Sequence, residues 1–116
     1  MAAATIYKIA PSALWRAAEE AGAFIGAPID LSDGYIHFSS AAQARETADR
    51  HFAGQADLVL VAVDVRLLGP ALKWEVSRGG ALFPHLYGPL PLAAVIWTAP
   101  LPLGPEGRHA FPEMAP

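Results

Sequence analysis

The apolar and polar positions of this chain fall into short blocks whose periods predict strand, helix, strand, helix, strand, strand, loop, strand. Thr5 to Ile9 is rich in β-branched and aromatic residues and stops short of Pro11, as a first strand would. Leu14, Ala17, Ala18 and Ala21 recur at i, i+3, i+4 and i+7, which predicts a helix with Ser12 as N-cap and Gly22 as the left-handed residue past its end. Asp33-Gly34 marks a turn. From Tyr35 to Ser39 the pattern alternates, so Ile36 and Phe38 share one face and Tyr35, His37 and Ser39 the other.

Ser40 with Gln43 fits a capping box, and Ala41, Ala44, Ala48 and Phe52 form the apolar stripe of a second helix that ends before Gly54. Leu58 to Val63 is a continuous apolar run, predicting a strand covered on both faces at the centre of the sheet. Lys73 to Ser77 alternates again, and Ala93 to Thr98 supplies a last strand. Gly79 to Pro89 is too rich in glycine and proline for regular structure, so an ordered loop is expected there, and such loops often carry function. Beyond Pro100, Pro102, Pro105, Pro112 and Pro116 predict a frayed or extended tail with little to bury. The expected fold is α+β, one small domain over residues 1–100 with a proline-rich tail over residues 101–116. Its mixed or antiparallel sheet should hold about five to six strands beside two main helices.

Composition narrows the function classes. A chain of 116 residues has room for one core, and 53% hydrophobic against 16% charged residues is enough apolar surface to fold unaided. A formal net charge of −3 with eight dispersed Lys and Arg gives no basic field for a duplex phosphate backbone. Without cysteine there is no disulfide, thiolate nucleophile or Cys-ligated zinc, and the four histidines show no metal-ligand spacing. The N-terminal residues lack the pattern of a signal peptide, and no apolar run approaches the roughly 18 residues of a membrane span. The expectation is a cytoplasmic protein, monomer or weak homodimer, whose partner is a small molecule and which needs no metal.

Chemistry concentrates on two stretches. His37 leaves the polar face of its strand next to Ser39, and with Ser40 and the N–H groups at the start of the second helix it can hold a phosphate or ribose oxygen. A histidine that merely closes the strand end by bonding a carbonyl is the competing reading. Glu75, beside Trp74, is a candidate base or ribose clamp, with a cross-strand ion pair as its rival. His85 and Tyr87 lie two residues apart, aim the same way in extended backbone, and offer ring surface to a nucleobase or nicotinamide. His37, Glu75 and His85 are thus the candidate catalytic residues, and Tyr35, Ser39, Ser40 and Tyr87 the candidate ligand-binding ones. Arg45, Glu46, Asp49 and Arg50 have the spacing of helix-surface ion pairs.

Ile6-Tyr7-Lys8-Ile9, Asp33 to Ser39, Glu46-Thr47 with His51-Phe52, Leu58 to Asp64, Trp74-Glu75 and Leu82 to Gly88 resemble, in order and spacing, the bacterial domain-of-unknown-function 952 family, from about Ile6 to Trp97. More distantly, the order of elements is similar to the ADP-ribosyltransferase superfamily, in particular the RNA 2′-phosphotransferases. Their L-Y-H-G-T strand falls on Ile6 to Ala10 and their H-x-H-[LF]-S strand on Tyr35 to Ser39. Only the last of those histidines is kept, as His37; Lys8 and Tyr35 stand at the other two positions. That resemblance implies an ADP-ribosyltransferase-like fold and a cleft for a nucleotide-like ligand, with NAD or ADP-ribose as substrate. In it His37 would hold a ribose or phosphate oxygen, and Glu75 would stabilise charge at the anomeric carbon. The rival readings are a binding module that has lost transfer, which Lys8 favours, and a hydrolase with His37 or His85 as general base.

Overall fold

The structure, a computed structural model, describes residues 3–116. In chain order the strands are β1 (Thr5–Pro11), β2 (Ala23–Phe24), β3 (Ile36–His37), β4 (Leu58–Asp64), β5 (Leu72–Val76), β6 (Leu82–Leu86), β7 (Leu90–Pro91) and β8 (Val95–Pro100). The helices are α1 (Ser12–Ala21), α2 (Pro28–Asp33) and α3 (Ala44–His51). Every pairing among the described residues is antiparallel, in three ladders ordered β1-β4-β8, β2-β7 and β3-β6-β5. The expected α+β class is what forms, with the single expected sheet divided into these ladders.

β4 is the centre of its ladder, as its unbroken apolar run predicts, because both faces are covered. Val61 and Val63 join Ile6, Ala10, Trp15, Phe24, Ile36 and Leu86 in one core, under α1 and β3. Leu58, Leu60 and Ala62 join Tyr7, Ile9, Ala48 and Leu101 in a second core, under α3. Period-two alternation along β1 sends Ile6 and Ala10 to the first core and Tyr7 and Ile9 to the second. Lys8 therefore points with Ile6 into the first core, where it is only 4% exposed.

Four expectations change. Gly79 to Pro89 is not one long loop: β6 runs through it and is the central strand of its ladder, despite Pro84. The Pro84 carbonyl still accepts from the Phe38 N–H at 3.0 Å. The second helix begins at Ala44, after a turn, although Gln43 Oε1 accepts from the Ser40 N–H at 3.0 Å as a capping box requires. Ser12 is the first helical residue of α1 rather than its cap, while Gly22 ends the helix in the left-handed region at φ 91°. Finally, the segment after Pro100 is extended but docked. Leu101 is 1% exposed, Phe111 and Met114 pack on the second core, and Tyr7 Oη donates to the Ala115 carbonyl at 2.6 Å.

α2 has no counterpart among the expected elements. Six residues are too few for a 3.6-residue period to show, and its signals are local: Pro28 at the first position and Asp30 in the first turn.

Candidate functional site

The stretch from Ile36 to Ser39 changes partners. Ile36 faces Leu86 and His37 faces His85 in the β3–β6 ladder, whereas Ser39 pairs with Tyr7 of β1 through backbone bonds of 2.8 and 2.9 Å. β1 and β6 are thus joined by one stretch of extended chain. Beside it lies a cleft of about 530 Å³, within the size range of small-molecule sites. Tyr7 and Lys8 line it from β1, His37 and Ser39 from the bridging stretch, Phe83 and His85 from β6, Asp33 from α2, and Thr47, His51 and Phe52 from the α3 side.

One wall is organised by Asp30, which is 1% exposed. Its carboxylate accepts from Lys8 Nζ at 3.0 and 2.9 Å, from the Ala27 N–H at 2.7 Å, and from the His37 N–H at 3.0 Å. His37 Nδ1 lies 2.6 Å from it, and His37 Nε2 lies 2.9 Å from Asp33. Each nitrogen of the His37 ring thus has a carboxylate partner. Burial alone would push the Asp30 carboxyl up; the hydrogen bonds from His37 and the charge of Lys8 outweigh it and hold it at about 2. Burial lowers the Lys8 pKa, with the Asp30 charge acting against that shift. Gly26 allows this loop to close on Asp30: its φ is 126°, and a Cβ there would stand 2.8 Å from Asp30 Cβ.

Across the β3–β6 ladder from His37 lies a second carboxylate–imidazole pair. Lys73 faces His85 across the β5–β6 ladder, and Glu75 lies diagonally on the same face. His85 Nδ1 is 2.8 Å from Glu75 Oε1, which also accepts from Tyr87 Oη at 2.7 Å. Donation from Tyr87 and then His85 lowers the Glu75 pKa, and the same bond pushes the Tyr87 hydroxyl up to about 12. Tyr35 stacks on His85 with ring centroids 4.1 Å apart, and its ring is also 4.7 Å from His37 and 5.2 Å from Tyr87.

His37, His85, Tyr35 and Ser39 therefore share the cleft. Glu75 and Tyr87 stand behind His85, outside the cleft lining, and Ser40 is not part of it. Beside Ser40 three N–H groups are engaged: that of Ser40 bonds Gln43 Oε1, and those of Gln43 and Ala44 bond the Ser40 carbonyl at 3.1 Å each. Ser39 Oγ is 2.8 Å from Thr47 Oγ1. On the outer face of α3, Glu46 and Arg50 form the expected pair at 3.9 Å, whereas Asp49 bonds Arg108 and Arg45 sits over the Phe111 ring. Among the described residues no group of three or more His, Asp or Glu is placed to hold a metal ion, and no helix is long and apolar enough to cross a membrane.

Sequence reasoning missed Asp30, Asp33 and the engaged state of Lys8. The available signal was the Ala27-Pro28-Ile29-Asp30 helix start, which places an acid three residues past an N–H that needs an acceptor.

Residues 9–98 match the family described as "Protein of unknown function (DUF952)". The crystal structure of protein CC0527 from Caulobacter crescentus is 52% identical over 91% of this chain and 93% of that chain, with a TM-score of 0.88. The solution NMR structure of CC0527 is 52% identical over 90% of each chain, with a TM-score of 0.82. No curated protein matches this chain.

Proposed function

The chain belongs to the DUF952 family, and from that premise and the cleft we propose that it binds a nucleotide-like, ribose-bearing small molecule such as an ADP-ribose-containing ligand. The observation that carries this reading is the convergence of Tyr35, His37, Ser39, Asp33 and His85, distant in sequence, on one cleft of ligand size. Ring surface from Tyr35 and His85 suits a base, and the Asp33 and Ser39 oxygens suit ribose hydroxyls. Lys8, already paired with Asp30, offers a phosphate no free charge, so recognition rests on the ring surfaces and neutral hydrogen-bonding groups of the cleft.

Binding is better supported than ADP-ribosyl transfer. Glu75, the carboxylate that the superfamily resemblance would set against the anomeric carbon, is engaged by His85 and Tyr87 behind the cleft lining. Thermal shift of the full chain against NAD, ADP-ribose, adenosine nucleotides and sugar phosphates tests the reading, since a ligand at 100 times its Kd adds about 2.7 kcal/mol of stability. The expected result is selective stabilisation by a ribose-bearing compound, weakened in Tyr35→Ala. Stabilisation by purely apolar compounds only, or by none of the panel, would sink it.

A further inference from the structure

We propose that His85 is the proton-accepting group of this cleft, with Glu75 and Tyr87 as the positioning residues that set its tautomer. The proposal rests on the ligand-cleft reading above only for where a substrate would lie. His85 is 4% exposed and lines the cleft, while Glu75, which holds its Nδ1 at 2.8 Å, does not line it. The ring edge away from Glu75 is thus the edge at the cleft, and Nε2 has no hydrogen-bond partner among the described residues. A carboxylate on Nδ1 keeps the proton there and leaves the Nε2 lone pair free. Tyr87 Oη holds the same Glu75 oxygen at 2.7 Å, and Tyr35 stacks on the imidazole with centroids 4.1 Å apart, which together fix the carboxylate and the plane of the ring. His37, on the facing strand, cannot take this role while both its nitrogens are spent on Asp30 and Asp33.

The chemistry this supports is hydrolysis at an electrophilic carbon. Nε2 removes a proton from water as the water oxygen bonds to that carbon. The bond to the leaving group breaks, the leaving group departs with the electron pair, and His85 returns the proton to it. Water is the only co-reactant, and the imidazole ends as it began.

Two measurements on the full chain decide the proposal. Imidazole ¹⁵N NMR of the ligand-free protein, with the His85 signals assigned by their loss in His85→Gln, should show Nδ1 protonated and Nε2 bare at pH 7.5. Glu75→Gln, whose melting should stay cooperative, should redistribute the tautomers, and Tyr87→Phe should do so less. Hydrolysis of 4-nitrophenyl acetate should fall by about tenfold or more in His85→Gln and by a smaller factor in Glu75→Gln. A proton on Nε2 in the wild-type chain, or ester hydrolysis unchanged in both variants, overturns the proposal. Neither measurement uses a nucleotide, so an empty thermal-shift panel would remove the ligand assignment and leave this test standing.

Discussion

His37 and His85 face each other across the β3–β6 ladder with ring centroids 5.7 Å apart and nearly perpendicular planes, yet their nitrogens are employed differently. Both nitrogens of His37 serve acidic residues of α2, whereas His85 gives only Nδ1 to Glu75. His37 is thus a structural partner of a buried carboxylate as well as a cleft residue. His37→Ala should lose about 1–3 kcal/mol, the cost of leaving Asp30 short of donors. Chemical denaturation measures this, and an unchanged midpoint would show that Asp30 does not depend on the ring.

Lys8 and Asp30 form an ion pair that is almost wholly out of water, at 5% and 1% side-chain exposure. Lys8→Met and Asp30→Asn should each cost about 3–5 kcal/mol, because each strands the remaining charged or polar partner. The double variant should cost clearly less than the sum. A double-mutant cycle with additive losses would contradict the coupling.

Asp30 also sets the acid limb of stability. Its folded pKa of about 2 lies below the ordinary 3.8, so the folded state binds fewer protons between those values and the unfolded state gains on acidification. The contribution is complete above about pH 4 and is lost as pH falls toward 2, with a size of about 2–3 kcal/mol. Unfolding free energies across pH 2 to 6 should show this slope in the wild-type chain and a shallower one in Asp30→Asn; parallel curves would assign the limb to other carboxylates.

Gly26→Ala is expected to destabilise by about 1–3 kcal/mol, from the strained φ of 126° and the 2.8 Å approach of the new Cβ to Asp30 Cβ. A variant as stable as wild type would mean that the loop reaches Asp30 by another path.

The docked C-terminal segment separates two kinds of contact. Phe111→Ala removes apolar surface from the second core and should cost about 1–2 kcal/mol. Arg108→Ala breaks a solvent-exposed pair with Asp49 and should leave the melting temperature essentially unchanged. Equal effects, in either direction, would mean that the segment is not held by its apolar residues.

What the sequence determined by itself was whatever a local period or a local turn encodes. The alternation of Tyr35 to Ser39 and the unbroken apolar run of β4 each need only a few neighbouring residues to state their case, and each forms as read, whereas α1 forms but buries Trp15 and Ala18 and leaves Ala17 and Ala21 of the expected stripe exposed. The sharing of one cleft by His37 and His85 was only hinted at by strand faces, since the β3–β6 pairing joins positions 48 apart in number. Tertiary structure alone decided the rest. β6 forms through a Gly- and Pro-rich stretch because β3 and β5 supply bonds on both sides, overriding its weak local preference. Lys8 stands in an apolar strand, and nothing within reach of it along the chain reveals the acid of a six-residue helix that pairs with it out of water. The same holds for Glu75, a cleft carboxylate by its strand position: its pairing to His85 and Tyr87 depends on the register of β5 against β6, a long-range property that no period records.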